Sequence, residues 1–271
     1  MDTPSASAVY TRDGLTWQPG ELSRGPWDPR AQHGGAPCAL LAHVAENEMT
    51  EPGWALARLS VELVRPVPIA ALTTRCSAQP SRSTTRLGID LFAGDTLVAR
   101  AHALMLRQQA LTLPDNLPGA SVPQLRPPPQ DCSERIRIPG LPEGRYFHQA
   151  AMETRVAQGN PGQPGPGAAW FRLAVPMVQG VPTSPAMRAA AAADFGNGLS
   201  WVLPADRYLF SNADLSLHLH RPPTGEWIGL MSESQVDGSG TGTAVSRLFD
   251  TEGPIGIAIQ TLVLRERAAS A

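Results

Sequence analysis

Leu59-Ser60-Val61-Glu62-Leu63-Val64-Arg65-Pro66 returns later in the chain as Leu215-Ser216-Leu217-His218-Leu219-His220-Arg221-Pro222. In both stretches an aliphatic residue takes every second place (Leu59, Val61, Leu63; Leu215, Leu217, Leu219) and polar residues fill the gaps. That is the period of a strand with one buried face. Proline has no N–H to give a sheet, so the Arg-Pro after each run ends the strand. Two further blocks recur: Leu91-Phe92 as Leu248-Phe249, and Leu104-Met105-Leu106-Arg107 as Leu262-Val263-Leu264-Arg265. The offsets, taken from Arg65 to Arg221, Phe92 to Phe249 and Arg107 to Arg265, are 156, 157 and 158. A nearly constant offset over three blocks marks a duplication.

Each copy reads alike around its repeated strand. Strand-like runs follow at about 72–79, 84–93 and 96–107 in the first copy, and at about 226–235, 242–250 and 255–266 in the second. Turn-formers separate them: Ala93-Gly94-Asp95, Asp237-Gly238-Ser239-Gly240 and Thr251-Glu252-Gly253-Pro254. Such spacing predicts antiparallel meanders. The glycine-rich run from Gly238 to Gly242 precedes a strand, so it reads as a hairpin turn and not as a phosphate loop. Ahead of each meander a helix is expected, over about Gly35 to Asn47 with Leu40, Leu41, Val44 and Ala45 at helical spacing, and over Met187 to about Val202. The second copy opens with two strands, around Tyr146–Ala157 and Ala168–Pro176, joined by the Pro/Gly run from Asn160 to Gly167. Proline crowds the stretch between the copies (Pro114, Pro118, Pro123, Pro127, Pro128, Pro129), which predicts a linker without long regular structure. The organisation expected is therefore 1–110, a linker over 111–145, and 146–271.

Composition narrows the function. The chain has 271 residues, 42% hydrophobic and 17% charged, with a formal net charge of −2. This is a globular profile, with no basic excess for nucleic acid and no acidic tail. No run of about 18 apolar residues suggests a membrane helix, and Asp2, Arg12, Asp13 and Glu21 break up the first thirty residues where a signal peptide would need an apolar core. Cys38, Cys76 and Cys132 are odd in number and widely spaced, so three reduced thiols in a cytoplasmic protein are expected. His218 and His220 could share a strand face, but lacking further ligands nearby they read as packing residues. The tryptophans Trp27, Trp54, Trp170, Trp201 and Trp227 read as core or interface residues.

His33-Gly34-Gly35-Ala36-Pro37 opening a helix, a strand ending in Arg65-Pro66, and the duplicate ending in His220-Arg221-Pro222 together resemble the acyl-CoA thioesterase II family. The resemblance implies an α+β fold, a tandem (double) hot-dog in which each unit is a long helix wrapped by a curled antiparallel β-sheet. It also implies hydrolysis of an acyl-CoA or acyl-carrier thioester by a water oriented by Asp194, Gln260 and the residue at Asn212. The family carries Thr or Ser at that third position; asparagine departs from it, because an amide does not donate and accept at one atom. Thioester hydrolysis also needs donors aimed at the developing oxyanion. Backbone N–H groups at Phe195 and Gly196 are candidates, and His33, Gly34 and Gly35 are candidates for substrate binding. His102 falls 158 positions before Gln260, which suggests one working and one remodelled site. No metal or organic cofactor is implied, no membrane or nucleic-acid partner is expected, and a homo-oligomer is possible in principle. Two other readings stand beside hydrolysis: a hot-dog enoyl-CoA hydratase or dehydratase using Asp28 and His33, and an acyl-binding protein without catalysis.

Overall fold

A computed structural model describes residues 8–114, 124–137, 144–160 and 162–267. In chain order the first copy contributes β1 (Tyr10–Asp13), β2 (Thr16–Pro19), α1 (Gly35–Asn47), β3 (Trp54–Glu62), β4 (Leu72–Pro80), β5 (Thr84–Ala93) and β6 (Thr96–Arg107). The second contributes β7 (Met152–Gln158), β8 (Gly167–Leu173), α2 (Pro185–Ala193), α3 (Gly196–Leu199), β9 (Tyr208–Asn212), β10 (Asp214–Leu219), β11 (Ile228–Asp237), β12 (Thr241–Asp250) and β13 (Gly253–Glu266). The strands join into one antiparallel sheet in the order β1-β2-β4-β5-β6-β3-β10-β13-β12-β11-β8-β7, with β9 beside β13.

The two repeated strands that open the argument are neighbours at the middle of this sheet. In the β3–β10 pair Ser60 lies opposite Ser216, Leu59 opposite Leu217 and Val61 opposite Leu215. Ser216 is the repeat of Ser60, so the residue at the centre of the pair faces its own copy. That is the register of a two-fold axis, here built within one chain. Leu59, Val61, Leu215 and Leu217 are all buried, as their alternation predicts.

Both long helices lie against the concave side of the sheet and against each other. Every residue of α1 from Gly35 to Ala45 is buried, His43 included, so the helix is apolar on nearly all sides. Ser184 caps α2 by accepting the Met187 N–H (3.1 Å), and its hydroxyl donates to Glu46 near the end of α1 (2.5 Å). Burial pushes the Glu46 carboxyl up, and the Ser184 hydrogen bond works against that.

The structure departs from the sequence reading in four places. The helix expected to run to about Val202 stops at Ala193, Asp194 is its C-cap, and only the short α3 follows. Ser200 closes that short turn by donating its hydroxyl to the Gly196 carbonyl (2.8 Å), which leaves Trp201 and Val202 outside it. The strand expected from Tyr146 begins only at Met152, because Phe147–Ala151 forms a π-helical turn. The short strands β1, β2 and β9 have too few residues for period two to show. Finally, Ser60 faces His102 while Ser216 faces Ile259, so Ile259, not Gln260, is the repeat of His102. The third block is offset by 157, and a slip of one residue moves a side chain to the other face. His102 and Ile259 point outward, while Gln260 and the residue at its place in the first copy, Ala103, are buried.

Within the proline-rich stretch, Leu125 and Cys132 are buried against Trp170 and Phe249. Trp170 donates its indole N–H to the Pro127 carbonyl (2.9 Å), so this segment covers the outer face of β8 and β12.

The Arg-Pro that ends β10 has a second job. Arg221 forms a two-pronged contact with Asp250 (2.5 and 2.6 Å) at the end of β12. Asp250 also accepts the backbone N–H of Thr224, Glu252 and Gly253. Burial pushes this carboxyl up, but the hydrogen bonds from Arg221, Thr224 and Glu252 outweigh it and hold it below the usual aspartate range. Its contribution is therefore full above the unfolded aspartate value and is lost as pH falls through the lower folded value. Arg221→Met is expected to destabilise the fold by about 3 kcal/mol, since it leaves a fully buried carboxylate without its paired cation. Urea unfolding at neutral pH measures it; a change under about 0.5 kcal/mol would contradict this account.

Candidate active site

A cavity of about 610 Å³ opens where the two copies meet, beside the β3–β10 junction. Trp27, Leu63, Val67, Ile136, Leu209 and Phe210 give it apolar walls. Asp194 reaches it because α2 ends there: as the C-cap, it turns its side chain off the helix and into the space between the copies. Its side chain is only 3% exposed, so its oxygens need partners from the protein.

They have three. Asn212, the last residue of β9, donates its amide to Asp194 Oδ1 (2.6 Å). Gln260, on the buried face of β13, donates Nε2 to the same oxygen (3.3 Å) and to the Asp194 carbonyl (3.0 Å). Its Oε1 accepts the Asn197 N–H (3.0 Å), so both ends of the Gln260 amide are engaged. From the other copy, His33 Nδ1 lies 2.9 Å from Asp194 Oδ2.

The same His33 nitrogen is 3.1 Å from the Gly35 N–H. One ring nitrogen cannot accept from Gly35 and donate to Asp194 at once. A lone pair facing an ionised oxygen is repulsive, whereas a proton between them makes a charge-assisted hydrogen bond. A ring with its proton on Nδ1 would donate to Asp194, and one with its proton on Nε2 would accept from Gly35. The other nitrogen, Nε2, makes no hydrogen bond among the described residues and belongs to a ring that lines the cavity. Phe195 stacks on the imidazole (4.7 Å between centroids), and Phe147 lies beside both rings, 5.1 Å from the imidazole and 6.2 Å from Phe195.

Gly34 explains how two copies approach so closely. A Cβ there would lie 2.8 and 2.9 Å from the Asp194 oxygens, so only glycine leaves the carboxylate room. Gly196 plays the same part on the far side, where a Cβ would meet Ser246 Oγ at 2.5 Å and Gln260 Oε1 at 2.8 Å.

Asp194, Gln260, Asn212, His33 and Gly34 are thus brought into one cluster. Other expectations are corrected. The Phe195 N–H is spent on the Ala192 carbonyl (3.0 Å) and is no oxyanion donor; the residue contributes its ring instead. Gly35 is packed under the Ala191 carbonyl and Phe147 and does not line the cavity. Asp28 lines the rim but pairs with Arg30, whose side-chain hydrogen bond lowers its carboxyl, and it makes no contact with His33.

One cavity residue has no signal in the sequence. His148 stands in the π-helical turn, a form often found at functional sites. The Phe147 N–H donates to the Arg24 carbonyl (2.8 Å), which anchors this turn beside the approach to His33. The two imidazoles are 6.1 Å apart between centroids, and Tyr146 stacks on His148 (5.6 Å). Burial, and next the nearby His33, push the His148 imidazole down to about 3. Its Nδ1 is buried with no partner. His148 is among the residues that line the cavity.

No curated protein matches the chain. Among solved structures, a hot-dog protein of unknown function from Alicyclobacillus acidocaldarius is 16% identical over 96% of each chain, with a TM-score of 0.69. An acyl-CoA thioesterase II from Mycobacterium marinum is 16% identical over 95% of this chain and 96% of its own, with a TM-score of 0.62. A tesB protein from Mycobacterium avium subspecies paratuberculosis is 14% identical over 96% of both, with a TM-score of 0.64. At such identities the likeness establishes the fold, a double hot-dog. Family models go further: residues 23–107 match the acyl-CoA thioesterase N-terminal domain and residues 124–264 match the acyl-CoA thioesterase C-terminal domain. With a helix-wrapping sheet in each copy and both halves of the family matched in order, the chain belongs to the acyl-CoA thioesterase family.

Proposed function

We propose that the chain hydrolyses acyl-CoA thioesters, with His33 as the base that activates water and Asp194 as the carboxylate that orients it. The observation that carries this reading is the 2.9 Å contact from His33 Nδ1 to Asp194 Oδ2, at the wall of an apolar cavity. A proton on Nδ1 leaves Nε2 as an acceptor facing the substrate. Water attacks the thioester carbonyl carbon and its proton passes to Nε2. The tetrahedral intermediate then collapses, the C–S bond breaks, and His33 returns that proton to the departing thiolate. Asp194 lies beside the imidazolium that forms and stabilises it.

Asn212 and Gln260 act as positioning residues. Both donate to the carboxylate, so the departure from Thr or Ser costs nothing essential: an ionised acceptor needs a donor, and an amide N–H is one. His148 supplies a neutral imidazole N–H for the carbonyl oxygen, close enough to His33 for a water and a carbonyl to sit between them. The hydratase alternative through Asp28 and His33 loses its support, because Asp28 is held by Arg30.

Free-thiol release from acyl-CoAs of graded chain length tests the assignment. Turnover by the wild type, with a fall of about 10³-fold in Asp194→Asn, is expected. His148→Phe should lower kcat by about 10²-fold and His148→Gln by less, because glutamine keeps a donor. No thiol from any chain length would sink the thioesterase reading and favour an acyl-binding role.

A further inference from the structure

Comparison of the two copies isolates an arginine with no structural employment. Arg221 closes on Asp250, the last residue of β12. Its repeat Arg65 faces a hairpin in which β5 ends on Ala93, so the carboxylate is gone. The chain also rejoins its neighbour one residue later: Arg65 N–H donates to the Val98 carbonyl (3.1 Å), where in the second copy His220 N–H donates to Ile255 (3.0 Å). Released from both constraints, Arg65 lines the cavity, together with Arg137 and Arg265. None of the three has an ion pair or side-chain hydrogen bond among the described residues, and all three are exposed, so each guanidinium is open to a ligand in the cavity. The cavity's two carboxylates offer no compensation, since Asp28 is held by Arg30 and Asp194 by His33, Asn212 and Gln260. Three guanidinium groups without an ion pair among the described residues therefore border the cavity, in a chain whose net charge is −2.

We propose that Arg65, Arg137 and Arg265 form a binding site for the phosphate groups on the thiol portion of the substrate. The inference rests on the thioesterase reading for its substrate, and it adds how the thiol half is recognised. Guanidinium groups suit phosphate because their planar N–H pairs match its oxygens. Two sources offer that chemistry: coenzyme A, with a diphosphate and a ribose phosphate, and the single phosphodiester of a phosphopantetheine arm on a carrier protein. Three positive groups match the more highly charged coenzyme A.

Calorimetric binding of free coenzyme A, 4′-phosphopantetheine and pantetheine to the full chain decides the matter, because it requires no turnover. Coenzyme A should bind the wild type, weaken about tenfold in Arg65→Met and again in Arg265→Met, and lose affinity steeply with added salt. Pantetheine should bind weakly and equally in all variants, and Arg100→Met, which removes a paired arginine away from the cavity, should change nothing. Equal losses for coenzyme A and 4′-phosphopantetheine would keep the phosphate site and assign it to a carrier arm. Coenzyme A binding that ignores Arg65→Met, or no binding at all, overturns the proposal even if thioesters are hydrolysed. Arginine-dependent binding without hydrolysis would keep the site and discard the catalytic reading.

Discussion

Replacing His33 with alanine is expected to lower kcat for acyl-CoA hydrolysis by about 10³-fold, with KM nearly unchanged. The imidazole is 13% exposed, lines the cavity and places Nδ1 2.9 Å from Asp194 Oδ2. Its removal takes away the proton acceptor and leaves the apolar walls that bind the acyl chain. Asp194→Asn should fall by a similar factor for a different reason. An Asn212 N–H and a Gln260 N–H now aim at an amide oxygen, and the new side chain can no longer stabilise an imidazolium. The pair of variants separates two mechanisms. If His33→Ala keeps the wild-type kcat while Asp194→Asn loses it, Asp194 itself activates the water and the histidine only packs. Circular dichroism and thermal unfolding of both proteins check that the fold survives.

Gly34→Ala is the second large effect, expected at about 10²-fold in kcat. The added methyl carbon would stand 2.8 Å from one Asp194 oxygen and 3.1 Å from its carboxyl carbon. The carboxylate has to retreat, and every retreat lengthens the contact to His33 or to Asn212. The backbone at Gly34 is right-handed helical (φ −56°, ψ −29°), so alanine suits the conformation and the cost is steric. Little change in thermal stability with a large fall in kcat is the expected signature. A full-rate Gly34→Ala enzyme would show that the close approach of the two copies is not needed for turnover.

Much of the scaffold was legible in the sequence. Leu59–Leu63 and Leu215–Leu219 alternate because β3 and β10 each bury one face, and that local periodicity announced the duplication. The meander strands β4 to β6 and β11 to β13 lie within a few residues of their expected spans, because three of the four turns between them carry glycine at fixed places and the fourth, Ser81-Arg82-Ser83, is short and polar. Asp194, Gln260 and Asn212 came from family resemblance, and periodicity alone would have left Asp194 as an ordinary helix cap.

What tertiary structure decided is of another kind. His33 and Asp194 are 161 positions apart and belong to different copies; their contact exists because β3 pairs with β10 and carries α1 and α2 together. The wrong partner for His33, Asp28, was the nearer one in sequence, and it is claimed by Arg30 two residues away. His148 lies in a turn whose shape no residue pattern announces, and Arg65 looks identical to Arg221 until the missing carboxylate at Ala93 is seen. The duplication, the strand faces and the helix that opens at the His-Gly-Gly run are legible locally, since these depend on neighbours within a few residues. The tertiary structure decided which face His102 and Gln260 occupy, which carboxylate meets the histidine and which arginine is left unpaired. Each of those depends on the pairing of distant strands, where a shift of one residue reverses the answer.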